Sequence, residues 1–309
     1  MPKRTQEELA VLQELILKYL VNVRMIILYG SYARGEHVIW DETYDEHGVL
    51  TYYQSDLDIL VICDTGDVNK AENHARTYIL PKYEMRMEGR RHPAPPQIIV
   101  ENTVGINRAI RRKHYFFYEI IKDGILFYDD GMFQFDKPER LPYREIKQYA
   151  REEYEGCFDM AESFLKSGHT ACKDSNFKYG SFELHQACER FYKTYLLVHS
   201  ATRPKSHKLE VMGAMAKSRS REFANVFPIN TPEEKEAFDK LCRAYIEARY
   251  SRDFTVSKDQ YEYMLTRTEM LRKVTIRECA ARIAYYDKMI EKEEKRKGEK
   301  SKRIIRIRG

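Results

Sequence analysis

No stretch of the 309 residues approaches the ~18 consecutive apolar positions of a membrane-spanning helix, so no membrane partner is expected. The first 20 residues are charged and amphipathic and lack the basic, apolar and small-residue blocks of a secretory leader. Cysteine is sparse and scattered. Cys63, Cys157, Cys172, Cys188, Cys242 and Cys279 include no C-x-x-C pair, which excludes the usual zinc frameworks and fits reduced thiols in a cytoplasm. Tryptophan occurs once, at Trp40, and there is no internal repeat. Excess charge is also missing from most of the chain. The net charge is +5, and residues 291–309 alone carry nine Lys/Arg against four Glu, which accounts for the whole excess. A neutral body lacks the broad positive field that drives phosphate-backbone binding, and the basic tail is expected to be disordered.

What the chain does have is enough length and apolar content for two cores, since 43% of its residues are hydrophobic and 33% charged. Residues 1–137 alternate between helical and strand patterns. A helix over Glu7–Val21 leads into a strand at Met25–Tyr29, with further strands at Leu57–Cys63, Pro96–Val100 and Ile125–Tyr128. Helical patterns cover Val68–Glu88 despite Pro81, then Val104–Arg112 and Tyr115–Lys122, so an α/β or α+β unit with a mixed sheet is expected. Residues 138–290 are helical almost throughout, in the stretches Arg144–Lys166, Phe177–His199, Lys208–Lys217, Pro232–Ala248 and Ser257–Ile290. They predict an all-α antiparallel bundle, with helix stops at Gly168, Arg203-Pro204 and Phe227-Pro228 and an N-cap at Thr231. The linker is expected at 136–142.

The chemistry concentrates in two short motifs of the first part. Gly30-Ser31 follows a strand and opens a helix, an arrangement that brings backbone amides and a hydroxyl close to a phosphate, and Arg34 three residues on is placed to pair with one. Asp56 and Asp58 lie two apart in the β-rich run Ser55–Val61, so both carboxylates share a face. Two hard oxygen ligands on a rigid strand suit Mg²⁺, which bridges nucleotide phosphates. A strand, Gly-Ser and Asp-x-Asp in this order resemble the DNA polymerase β-like nucleotidyltransferases, in their minimal branch. The resemblance implies Mg²⁺-dependent transfer of a nucleoside monophosphate from an NTP, ATP by expectation, with Asp56 and Asp58 as catalytic metal ligands and Gly30 and Ser31 on the triphosphate.

The sequence departs from that pattern twice. Twenty-four residues separate Ser31 from Asp56, and they read as a hairpin insertion at about 37–54, with strands His37–Trp40 and Val49–Tyr53 around an acidic tip. The third carboxylate of active members is expected on the strand Pro96–Glu101, where Gln97 takes the usual position and glutamine is no general base. Glu101 has the right chemistry and the same strand parity, and is the candidate third catalytic carboxylate.

In the helical half, His207-Lys-Leu209 after a loop and Ala248-Arg249-Tyr250-x-x-Asp253 at a helix end resemble HEPN domains, which often accompany minimal nucleotidyltransferases. Catalytic HEPN ribonucleases carry an Arg-x(4 to 6)-His motif. No histidine from His169 to His207 has an arginine at that spacing, so a domain without ribonuclease action is expected. His207, Arg249 and Tyr250 offer cationic and aromatic groups for a nucleotide, and Glu189 and Lys193 read as a surface i,i+4 pair. The expected function is therefore nucleotidyl transfer to an acceptor, a small molecule, a protein or RNA, selected by the HEPN-like part. A catalytically degenerate nucleotide-binding module of a toxin–antitoxin or defence kind is the alternative. Pairing of two copies through the helical domain is implied by the resemblance.

Overall fold

The computed structural model describes residues 1–44, 50–200 and 207–307, and for residue 51 and residues 297–307 it describes the backbone alone. Contacts divide the chain into two compact units, Met1–Arg140 with Ala214–Pro228, and Leu141–Gly213 with Ile229–Gly309. The boundary at Arg140 falls in the expected linker. The segment Ala214–Pro228 differs from the sequence reading, which assigned it with the rest of 138–290 to the bundle. Its placement depends on contacts distant in sequence, to which a local helical pattern is blind.

The first unit opens with α1 (Lys3–Tyr19), whose Leu9, Leu12, Leu15 and Ile16 recur at helical spacing and are buried. β1 (Val23–Tyr29), the short helix α2 (Gly30–Arg34), β2 (Asp41–Tyr44), β3 (Leu50–Tyr53) and β4 (Leu57–Cys63) follow. Then come α3 (Val68–His74), a π-helical turn Ala75–Ile79 and α4 (Leu80–Met87), in the range read as one helix. Pro81 accounts for the irregular turn, because it lacks an N–H and its ring crowds the carbonyl four residues back. β5 (Pro96–Asn102), α5 (Thr103–Arg111), α6 (Tyr115–Asp123) and β6 (Ile125–Asp129) complete the series.

Four strands form a mixed sheet in the order β5-β4-β1-β6, with β4 parallel to β5 and β1 antiparallel to both β4 and β6. Alternate residues of the two central strands feed two cores. Ile26, Leu28, Ile59 and Val61 join Leu12, Ile16, Ile79 and Tyr83 on one face. Ile27, Tyr29, Leu60 and Ile62 join Ile106, Ile110, Phe116 and Ile120 on the other. Burial on both faces explains why β4 is apolar beyond Asp58, and each such side chain stabilises by about 1.5–3 kcal/mol. Asp58 has the parity of Leu60 and Ile62, so it stands at the end of the second core.

The hairpin forms four residues later than expected on its first side, with register from Asp41↔Tyr53 to Tyr44↔Leu50. Val38 is occupied elsewhere: its N–H donates to Ser55 Oγ at 2.9 Å, and its carbonyl accepts from the Ser55 N–H at 2.8 Å. The tip at 45–49 and the helix stop at Arg203-Pro204 lie outside the described residues.

The second unit is helical: α7 (Tyr143–Lys173), α8 (Phe177–Ser200), the start of α9 (Leu209–Lys217), α10 (Pro232–Tyr250) and α11 (Lys258–Ile307). α8 is buried on nearly every side, as the central helix of a bundle must be. α7 runs through Gly168, where a stop was expected. A Cβ there would stand 2.7 Å from Leu184 Cδ2, and the Gly168 carbonyl accepts from Tyr261 Oη at 2.8 Å, so the glycine serves close packing. Thr231 caps α10 as expected, accepting from the Glu234 N–H while Glu234 reaches back to the Thr231 N–H, each at 3.2 Å. Helix also replaces the disordered tail expected from residue 291, as far as Ile307. Its Glu, Lys and Arg are good helix formers, and Glu294 pairs with Arg144 at 2.8 Å. Among the described residues no helix is long and apolar enough to cross a membrane.

Candidate functional site

The register of β1 against β4 sets Tyr29 opposite Asp58, and the chain then turns at Gly30 with φ +74°. A Cβ on Gly30 would fall 2.1 Å from Oδ2 of Asp58, so both the backbone angle and the space demand glycine. Gly30 and Asp58 thus meet because β1 and β4 are neighbours, whatever the length of the insertion between them. Ser31, half-buried, stands in α2, and Arg34 at its end is exposed and paired with Glu36 at 2.8 Å.

Asp56 and Asp58 are 4% and 3% exposed. Burial pushes the carboxyl of Asp56 up to about 7, against the opposing charge of Lys217. Burial likewise pushes Asp58 up to about 8; Asp56 adds to the shift, while Arg219, a hydrogen bond from Ser218 and Arg34 oppose it. The counter-charges present do not compensate two buried carboxylates. Gln97 is the residue of β5 directly in register with Asp58. Glu101 pairs in register with Ile62, four residues up the strand and therefore ~13 Å along it from the level of Asp58. Its Oε2 lies instead at the start of α5, 3.3 Å from where a Gly105 Cβ would be. The structure does not bring Glu101 to the aspartates.

Sequence reading missed the arm Lys217-Ser218-Arg219-Ser220-Arg221, which belongs to the first unit. Arg219 lies over the Phe116 ring at 5.4 Å, and Phe116 meets Tyr29 edge-on at 5.8 Å. Arg221 pairs with Asp41 of β2 and lies over the Tyr53 ring at 5.5 Å. A basic S-R-S-R run is the one signal that pointed here, and nothing local ties it to residues some 160 positions earlier.

His207, Arg249 and Tyr250 all belong to the second unit, where they gather around Tyr245. The His207 ring is parallel to that of Tyr245 at 6.4 Å, and the Arg249 guanidinium lies 4.5 Å over Tyr245 and 5.0 Å over the exposed Tyr250. Glu189 and Lys193 are no surface pair. Glu189 is 3% exposed, ion-paired with Lys193 and 3.0 Å from His207 Nδ1. Packing around α8 buries what its spacing alone leaves undecided.

Among the described residues no three or more His, Cys, Asp or Glu converge as a ready-made metal cage. Two buried carboxylates short of compensating charge nevertheless fit Mg²⁺, which commonly takes one or two protein carboxylates and completes its shell with water and substrate phosphate. Residues 154–279, a stretch that includes the segment 214–228 of the first unit, match the family model of the HEPN domain. Among solved structures, a nucleotidyltransferase-like protein from Exiguobacterium sibiricum 255-15 is 11% identical, with 90% of this chain and 77% of that one covered and a TM-score of 0.27. A score that low carries no argument for a shared fold, and no curated protein matches the chain.

Proposed function

We propose that the chain is a Mg²⁺-dependent nucleotidyltransferase, with the first unit binding an NTP and the HEPN domain selecting the acceptor. One observation carries this reading. Two buried carboxylates, Asp56 and Asp58, stand beside a glycine turn so close to Asp58 that no side chain fits, with Ser31 next in the chain. Asp56 and Asp58 are the residues that would hold Mg²⁺, which when bound supplies neutralisation of phosphate charge. Ser31 and the backbone after Gly30 orient the triphosphate, with Arg34 the nearby cation of α2. In the transfer, an acceptor oxygen forms a bond to the α-phosphorus, the α–β bridging bond breaks, pyrophosphate leaves and the acceptor proton passes to solvent. Positioning and electrostatics dominate such transfers. The cationic and aromatic patch of His207, Arg249 and Tyr250 in the HEPN domain offers groups for the phosphate or base of a nucleotide.

Gln97 supports a second reading, a nucleotide-binding module without transfer, because it occupies the position in register with Asp58 and takes no proton at neutral pH. Calorimetry with ATP and GTP, with and without Mg²⁺, on the intact protein and on Asp58→Asn tests the site. The expected result is micromolar binding that needs Mg²⁺ and is lost in the variant; binding indifferent to both sinks the reading. Pyrophosphate release from the bound NTP then decides for transfer against binding alone.

A further inference from the structure

The arm 217–221 carries three cations, Lys217, Arg219 and Arg221, with no acid among its five residues. Each cation has a different employment. Arg221 is spent on Asp41. Lys217 acts on Asp56. Arg219 is held in place without being used up: Nη1 donates to the Met215 carbonyl at 2.6 Å, the guanidinium face lies on Phe116, and Phe116 rests on Tyr29, the residue that faces Asp58. Its Nη2 is buried and has no hydrogen-bond partner among the described residues. Ser218, beside it, hydrogen-bonds Asp58. A buried guanidinium donor left open is costly, and its natural complement is an anionic oxygen with which it forms a short, charge-assisted bond. The anion that belongs beside two metal-binding carboxylates and a Gly-Ser turn is a polyphosphate.

We propose that Arg219 is a triphosphate ligand of this site, preorganised by Phe116 and Met215, and that it makes the protein prefer nucleoside triphosphates over monophosphates. The inference rests on the nucleotide reading of the same site. Arg219 offsets Asp58; toward a bound nucleotide its open Nη2 turns to the phosphate chain. Arg34 of α2, by contrast, is exposed and engaged with Glu36.

The test is calorimetric binding of ATP, ADP, AMP and inorganic triphosphate with Mg²⁺ to the full chain, to Arg219→Gln and to Arg219→Lys, with melting temperatures of all three. Arg219→Gln is expected to weaken ATP and inorganic triphosphate by on the order of tenfold or more while leaving AMP within twofold. Arg219→Lys, which keeps the charge and loses the fork, is expected to lose less. Unchanged ATP affinity in Arg219→Gln overturns the inference. So does an equal loss for ATP and AMP with a lowered melting temperature, which marks a structural prop. If ATP binding is lost in Asp58→Asn yet intact in Arg219→Gln, the nucleotide site stands and only the role of Arg219 falls. If the unsubstituted protein binds none of the four, both fall together.

Discussion

Each unit buries a small cluster of acid and base, and the two clusters are balanced in opposite directions. In the second unit, burial works against the Glu189 carboxylate, yet hydrogen bonds from Lys193 and His207 outweigh it and hold Glu189 below its ordinary value. In the first unit burial wins, and Asp56 and Asp58 are pushed up to about 7 and about 8 despite Lys217, Ser218 and Arg219. Glu189 has its partners in direct contact and is a finished ion pair. The aspartates have theirs at the margin, and what the site lacks is positive charge. On the proposed reading, stability and function fall to different clusters of similar composition.

The comparison breaks first at Glu189. Glu189→Gln leaves Lys193 buried without its counter-charge and is expected to cost about 3 kcal/mol in urea unfolding, whereas Asp58→Asn, which removes a carboxylate whose folded value burial has raised, is expected to stabilise the fold at pH 8. A larger loss at Asp58 than at Glu189 inverts the assignment. Next is the pH dependence of the second unit. His185, beside this cluster, is buried, and burial lowers its value to about 4, with Glu189 opposing and His207, Arg249 and Lys193 reinforcing. A histidine whose folded value is depressed contributes stability that is fully present above its ordinary value near 6.5 and is lost as pH falls toward 4. The wild type is expected to lose about 3 kcal/mol more than His185→Phe between pH 7 and pH 4, and parallel curves from urea titrations at each pH refute it. The smallest effect is at Arg34, whose exposed pair with Glu36 contributes little. Arg34→Ala is expected to shift unfolding by less than about 0.5 kcal/mol.

The mixed sheet and the bundle were legible because their signals are local. β4 carries its apolar run, α1 and α8 their helical stripes, and Thr231 its capping box within four residues. Gly30 and Asp58 were legible as a pair despite the insertion, since two apolar strands bounded by turns pair readily. What escaped was decided at a distance. The spacing of Glu189 and Lys193 is the same on a solvated helix and on a buried one. Gly168 reads as a stop until Leu184 and Tyr261 are seen to press on it. Glu101 has the parity of Gln97, but parity fixes the face of a strand and says nothing of height along it. The residues Lys217, Ser218 and Arg219 were the furthest out of reach, because no periodicity links them to Asp58.

That a late segment of chain belongs to the first unit has a consequence for how the protein is made. When Arg140 emerges from the ribosome, every strand of the sheet has been synthesised, but the surroundings of Asp56 and Asp58 are incomplete until Pro228 follows. At roughly 5–20 residues per second that interval lasts on the order of 4–18 s. During it the sheet can form with its aspartates lacking Lys217 and Arg219, while most of the second unit's first three helices are threaded out. A gene fragment ending at Arg140 therefore omits Lys217, Ser218 and Arg219 from the first unit. Expressed as residues 1–140, it would be a sheet awaiting its last piece.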